Sequence, residues 1–402
     1  DRPAIGQLEG LDDRIEHLVA KCQCRRPVGQ ADGEDHELVT TEAGEDVVVT
    51  KDFAQPPADP DQGLVAGFVA QLIVDRLEAI EVDQVQGKRR VGSGQGGLDG
   101  LIVATPNDTH YPITMKALEA GLHVLVEKPV AMNYTEAKAM LDLASRKGVC
   151  TFVPFTWSFT PAIRMLKDLI GSGYIGKPYH CNLRYIASYG RGMDYMWRLD
   201  TALAGSGVMG DLGSHTVHIA RWLFGEIEAV SCHLGHVREH ARTRPDGSPY
   251  EQADDSAILI LDFANGAQGS IHLSMVAQPG IASGQLIACD FFGSEGSLYS
   301  TIDYVAGQEV RGVRVTEPNP AQPPLAEVIP FPPDLVSTTE PGKLFEEMLK
   351  RPDVMVHEWV NAILEKRSSS RPLEDGVAVQ RVLDAALLSH ETGRRVQISE
   401  IN

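Results

Sequence analysis

The chain has 402 residues, enough for about two or three domains with a sizeable core, and its 43% hydrophobic and 23% charged composition is that of a globular protein. A net charge of -19 argues against nucleic acid or an anionic membrane surface as a partner. The apolar run from Leu64 to Val74 is broken by Gly67 and Gln71 and is too short to cross a bilayer, no segment has the form of a signal peptide, and the six scattered cysteines read as free thiols of a reducing cytoplasm.

In chain order, residues 1–97 offer an amphipathic helix (Ile5 to Ala20), a strand-like Val47 to Thr50, a break at Pro56, Pro57 and Pro60, and a mixed apolar segment to Val85. From Leu98 the signals become regular. A strand at Leu101 to Ala104, a turn at Thr105 to Asn107, a helix through Ala120 and a strand ending at Glu127 make the βαβ unit of a parallel sheet. A helix from Tyr134 to Lys147 then leads through Gly148 into a strand from Val149 to Phe155.

From Pro161 a helix to Ile170 and a turn over Gly171 to Pro178 precede a strand from Tyr179 to Ala187. Antiparallel-type segments follow at Ala229–His236, Ser256–Phe263, Gly269–Val276, Leu286–Phe292 and Gly296–Ser300, with Asn265-Gly266 as a hairpin turn. Pro318 to Pro341 reads as a proline-rich loop, and Val354 to Leu364 and Gly376 to Gly393 as helices. The expected class is α/β: a parallel sheet followed by a mixed α/β domain with an open, largely antiparallel sheet. The expected divisions are 1–97, 98–155 and 156–402.

Lys128 ends an apolar strand, in Gly121-Leu-His-Val-Leu-Val-Glu-Lys-Pro129. The carboxyl end of a strand in an open α/β sheet is where ligands bind, and Pro129 keeps Lys128 out of helical geometry and permits a cis bond. An amine held there suits proton transfer; taken alone, it is as readily a solvated charge at a strand end. Asp211 and His215 stand four apart where a glycine-rich loop enters a helix, so they share a face near the positive end of the dipole. In isolation they read equally as an N-cap and a core histidine, and His218, one position off that face, as structural. No zinc-type spacing is present. Lysine, aspartate and histidine together suit removal of a hydroxyl proton during hydride transfer, which itself needs a cofactor.

Four segments in this order resemble the Gfo/Idh/MocA family of NAD(P)-dependent sugar and inositol oxidoreductases: Thr105-Pro-Asn-Asp-Thr-His110, Glu127-Lys-Pro129, Trp197-Arg198 before a glycine-rich loop, and Gly210-Asp-x-Gly-x-His215. The resemblance covers residues 98 to 402, including the terminal helix around Leu373. It implies that the first is a Rossmann-like parallel sheet, its N-terminal half atypical or incomplete, in a domain carrying NAD or NADP, followed by a domain that shapes a sugar or polyol pocket and mediates homo-oligomer contacts. It also implies that Lys128 sits by the nicotinamide and the substrate hydroxyl, with Asp211 and His215 orienting or deprotonating the substrate. Thr105, Pro106, Asn107, His110, Glu127, Trp197 and Arg198 fall on the cofactor side, and Tyr185, Tyr189, Tyr195 and Trp197 are aromatic or polar candidates for sugar contact, each equally readable as a packing residue. The activity expected is hydride exchange with a hydroxyl or keto group of a sugar, inositol or related cyclic polyol. The alternatives are glycoside hydrolysis by transient oxidation on a held NAD, and a cofactor-deficient, noncatalytic member.

Residues 1–97 depart from the family's opening strand, glycine-rich turn and helix. The formal GxGxxG of Gly92, Gly94 and Gly97 follows Lys88-Arg-Arg90 instead of a strand and meets the strand at Leu101 instead of a helix. With 19 acidic against 10 basic side chains, this quarter carries nearly half of the net charge. The expectation is that it is not the native Rossmann half but an out-of-frame, antisense or misjoined translation, which would leave NAD and NADP indistinguishable.

Overall fold

Short apolar runs alternating with helices build a parallel sheet first. β1 (Gly100–Val103), α1 (Asn107–Glu119), β2 (His123–Val126), α2 (Tyr134–Lys147) and β3 (Thr151–Phe152) follow in order, with β2 central and both pairings parallel. The structure, a computed structural model, describes residues 99–402 except 304, 316–323 and 337, together with the antiparallel pair Val82–Asp83 and Arg90–Val91. The expected helix from Ile5, the strand at Val47 and the triplet Gly92, Gly94 and Gly97 lie outside the described residues.

α2 shows how local chemistry sets boundaries. The Asn133 side chain accepts from Glu136 N (2.9 Å) while the Glu136 carboxylate accepts from Met132 N (3.1 Å), closing the N-terminus. Such a cap stabilises a helix by about 1 kcal/mol. At the other end Gly148 adopts a left-handed conformation (φ 64°), which stops the helix without a Cβ penalty. The expected strand over Val149 to Phe155 is shorter because Pro154 has no N–H to give and Val153 N donates to Arg371 O (2.8 Å) instead of to a strand.

The chain continues through α3 (Pro161–Gly171), β4 (Pro178–Ala187), the short α4 (Thr201–Ala204) and α5 (Ser214–Phe224). Then come β5 (Ile227–Gly235), β6 (Ser256–Phe263), β7 (Gln268–Ser274), β8 (Gln285–Gly293), β9 (Gly296–Asp303), β10 (Gly307–Arg314) and β11 (Glu327–Val328). Helices α6 (Leu344–Leu349), α7 (Met355–Leu364) and α8 (Leu373–Thr392) precede a last strand, β12 (Val396–Gln397). β4 to β12 form one nine-stranded sheet in the order β11-β10-β9-β8-β4-β7-β6-β5-β12. All its pairs are antiparallel except β4 with β7, so the sheet is mixed. Asn265-Gly266 makes the β6–β7 turn as expected, with Gly266 at φ 85°. β10, β12 and α6 were not foreseen, and the expected loop Pro318 to Pro341 contains β11 at the sheet edge.

β6 alternates Ala257, Leu259, Leu261 and Phe263 inward with Ile258 and Ile260 outward, so one face packs on helices and the other stays open. The parallel sheet is covered on both faces. Val124 and Val126 join Ala117, Leu118 and Met140 of α1 and α2, whereas Leu125 and Phe152 join Met355, Val356 and Trp359 of α7. Its carboxyl edge therefore stays available, and that edge carries the next set of residues.

Candidate active site

β1 runs into Thr105 and Pro106 and then into α1, while β2 runs into Glu127 and Lys128, so two turns meet at the carboxyl edge of the parallel sheet. His110, 1% exposed, ties them together: one ring nitrogen lies 2.8 Å from Thr105 O and the other 2.8 Å from Pro129 O. The Thr109 hydroxyl donates to Pro106 O (2.7 Å) and lies 2.5 Å from Thr105 Oγ1, from which it can accept, tightening the first turn. Asn107 is buried and donates through Nδ2 to Ala204 O (2.9 Å), joining α1 to α4. Thus Thr105, Pro106 and Glu127 lie at the edge, while His110 and Asn107 brace it from beneath.

Opposite this edge the helix containing His215 begins irregularly. Met209–Gly213 winds as a π-helical turn and α5 starts only at Ser214, so Asp211 is not an N-cap but a member of the wide turn. The Lys128–Pro129 peptide is cis, and the Lys128 ammonium donates to Asp211 Oδ1 (2.6 Å) and Asp211 O (3.1 Å). The Tyr189 hydroxyl donates to Asp211 Oδ2 (2.5 Å), and Arg198 Nε stands 3.5 Å from the same oxygen. The Arg198 guanidinium lies over the Trp197 ring, 4.6 Å from its centroid. His215, 7% exposed, sits within 6.5 Å, centroid to centroid, of Phe155, Trp157 and Tyr185, and its Nδ1 is buried without a hydrogen-bond partner among the described residues.

Burial pushes the Asp211 carboxyl up, but the Lys128 ammonium, the Arg198 guanidinium and the hydrogen bonds from Lys128 and Tyr189 outweigh it and hold the group well below the usual carboxylate range. For Glu127 burial wins over the neighbouring Lys128, and its carboxyl is raised. Burial, then the Lys128 charge, pushes His215 well below the ordinary histidine value, so it is a neutral imidazole. Tyr189 is raised by burial and by the Asp211 charge it faces, so it stays a donor. The site therefore pairs a fixed anion with a cation and places a neutral base beside them, an arrangement able to move a proton.

Of the residues expected from sequence, Lys128, Asp211 and Arg198 are brought into contact, Trp197 joins through Arg198, and His215 stands beside them. Tyr189 was foreseen only as one aromatic among four. Tyr185 hydrogen-bonds through its hydroxyl to Gln285 Oε1 (2.8 Å) and Tyr195 to Asp200 Oδ2 (3.0 Å), so the tyrosines divide between site and frame. For a nicotinamide dinucleotide the chemistry at the strand ends fits. Glu127 offers a part-buried carboxyl that takes one hydrogen bond from Lys128 N (3.2 Å), and the Thr105 turn is braced as a rigid wall. The stretch that would cradle the phosphates lies outside the described residues.

Comparison with known proteins supplies the context. A family model described as "Oxidoreductase family, NAD-binding Rossmann fold" matches residues 76–155, and one described as "GFO/IDH/MocA C-terminal domain" matches residues 163–299, together more than half of the chain. The first match begins upstream of the boundary at 98 read from the sequence. The levoglucosan dehydrogenase of Pseudarthrobacter phenanthrenivorans is 29% identical over 326 residues, covering 75% of this chain and 80% of its own. The scyllo-inositol 2-dehydrogenase (NAD(+)) of Bacillus subtilis is 31% identical over 204 residues, or 50% and 55% of the two chains. A solved structure of levoglucosan dehydrogenase in complex with NADH and levoglucosan superposes with a TM-score of 0.65 at 27% identity, covering 75% of this chain and 80% of that one.

Proposed function

The chain belongs to the Gfo/Idh/MocA oxidoreductase family, and from that premise we propose that it exchanges a hydride between NAD or NADP and a secondary hydroxyl or keto group of a sugar, inositol or related cyclic polyol. The observation that carries this reading is the Asp211 carboxylate held between the Lys128 ammonium (2.6 Å) and the Tyr189 hydroxyl (2.5 Å), with neutral His215 beside it at the carboxyl edge of a parallel sheet.

Oxidising a secondary alcohol requires the hydroxyl proton to leave as the C–H bond breaks. A bound nicotinamide supplies the hydride acceptor, or the donor in the reverse direction. Lys128 would hydrogen-bond the reacting oxygen, giving it a proton in the reducing direction and, in oxidation, taking the hydroxyl proton as it hands one of its own to neutral His215, and Asp211 keeps that amine aimed at one place. His215, kept neutral by burial, is the partner base or a ligand for an adjacent hydroxyl. Glu127 and the Thr105–Pro106 turn bound the nicotinamide ribose, and the aromatic rings around His215 exclude water from the proton path.

The test is a set of cyclic polyols and aldoses offered to the full chain with each nicotinamide cofactor, read by nicotinamide absorbance and product analysis. A net absorbance change with an oxidised or reduced sugar is expected. Cleavage of a glycosidic bond without net cofactor change would replace this reading with the hydrolase, which the dehydrogenase and reductase names among the relatives do not favour. Absence of binding to either cofactor by calorimetry would favour a noncatalytic member.

The outward Ile258 and Ile260, 50% and 59% exposed on the open sheet face, support assembly of copies through that face. Sedimentation of the full chain checks it; a monomer at micromolar concentration would refute it. No helix among the described residues is long and apolar enough to cross a membrane.

A further inference from the structure

The π-helical turn that presents Asp211 is held from a distant part of the chain. Asp254, 4% exposed and just ahead of β6, accepts from Gly207 N through Oδ1 (2.8 Å) and from Met209 N through Oδ2 (2.7 Å). Its main-chain carbonyl accepts from Val208 N (2.8 Å). Three consecutive N–H groups at the start of the turn thus end on one residue about 45 positions later, where a helix beginning at Gly207 would otherwise leave them without partners. The first backbone bond of the turn, Asp211 N to Gly207 O (3.0 Å), follows directly.

Gly207 shows how close the two segments run: a Cβ there would collide with the Asp254 carbonyl oxygen. The neighbouring Asp255 does a parallel task elsewhere, accepting from Val237 N and Arg238 N (2.9 Å each), so the adjacent aspartates brace different segments. Ala253 N to Leu199 O (2.8 Å) and the Asp200–Gln252 bridge run the same stretch alongside the start of α4.

We infer that Asp254 is a positioning residue: its carboxylate caps the turn from outside the helix and thereby sets where the Asp211 carboxylate meets the Lys128 ammonium. A side-chain cap normally comes from the residue at the helix start; here Gly207 and Val208 stand there and have no side-chain acceptor, and Asp254 takes the place of one. An asparagine at 254 keeps the shape but offers one acceptor oxygen where two N–H groups need one each, and its amide N–H faces a donor. The turn then shifts, and the ion pair loosens.

The test reads geometry and not turnover, so its failure is separate from failure of the proposed oxidoreductase chemistry, on which only the catalytic consequence rests. The full-length protein is treated with an amine-acylating reagent and the rate of modification at Lys128 is followed by peptide mass spectrometry, alongside the melting temperature. Asp254→Asn is expected to raise the Lys128 labelling rate roughly tenfold, as the shielding ion pair opens. Asp255→Asn is expected to lower the melting temperature similarly with Lys128 labelling unchanged, which a merely structural role for both residues would not produce. If Asp254→Asn does not fold, Asp254→Glu, which keeps the charge but moves the carboxylate by one methylene, reads the same quantity. Unchanged Lys128 labelling in either folded Asp254 variant overturns the inference.

Discussion

The Tyr189 hydroxyl lies 2.5 Å from Asp211 Oδ2, on the side of the carboxylate opposite the Lys128 ammonium. The carboxylate is thus clamped from both oxygens, one by the Lys128 ammonium and the other by the neutral Tyr189 hydroxyl with the Arg198 guanidinium 3.5 Å away, so that removing the phenol leaves both charges in place.

Tyr189→Phe removes a hydrogen bond to a charged acceptor, worth about 1.5–3 kcal/mol, while leaving Lys128 and Arg198 beside the carboxylate. The depressed Asp211 value then rises toward the ordinary carboxylate range, because one of the contributions holding it down is gone. The acidic limb of the turnover–pH profile should move to higher pH, while at neutral pH, where the carboxylate is ionised in both proteins, turnover should fall by about tenfold through the loosened placement of Lys128. A profile that keeps its acidic limb would show that Asp211 does not need the phenol.

Lys128→Met keeps the unbranched stem of the side chain, one atom shorter, and removes its charge. General acid–base groups contribute about 10²–10⁴-fold, and turnover measured by nicotinamide absorbance should fall within that range while the circular dichroism spectrum stays native. Turnover equal to that of the parent protein would refute the role of Lys128.

His110→Phe tests the brace beneath the site. Phenylalanine fills the volume but removes the single N–H of the buried, neutral ring, which serves one of the Thr105 and Pro129 carbonyls, each now 2.8 Å from a ring nitrogen. An unsatisfied buried group costs about 1–3 kcal/mol, so the urea midpoint should drop by an amount corresponding to about 1–3 kcal/mol. An unchanged midpoint would mean that water already serves these carbonyls.

The contrast between Lys128 and Tyr189 shows what could be read from sequence. Lys128, Asp211 and His215 stand in short contiguous motifs, and the apolar run ahead of Lys128 declares its strand end directly. The place of Tyr189 depends on β4 ending at Ala187 and on a following 3-10 turn at Tyr189–Arg191, a long-range outcome with no local marker. The π-helical turn at Met209–Gly213 was equally hidden, because its defining partner, Asp254, lies far along the chain. β10 contains Gly307 and Gly312 and was not foreseen, since glycine weakens a strand signal even where pairing with β9 enforces the strand. Where the fold rests on periodic apolar runs it was legible; where it rests on partners remote in sequence it was not.

His218→Phe is expected to change the acid stability of the protein, and the sign follows from its surroundings. The ring is 2% exposed, stacked 4.0 Å from Phe155 and 6.0 Å from Trp222 between centroids, and both its nitrogens are buried without hydrogen-bond partners among the described residues. Burial first, and then the charges of Arg371 and Arg221, push it well below the ordinary histidine value. Its folded-state value is therefore depressed, so the unfolded chain takes up a proton as pH falls through about 6.5 while the folded chain does not. The native state loses stability from there downward, by up to about 1.4 kcal/mol per pH unit for this one group. Phenylalanine keeps the stack and cannot titrate. Urea unfolding at a series of pH values should give similar stability for both proteins at pH about 8 and a progressively more stable His218→Phe variant below pH about 6. Parallel stability curves across that interval would show that His218 is protonated to the same extent in the folded and unfolded chains, contrary to its burial.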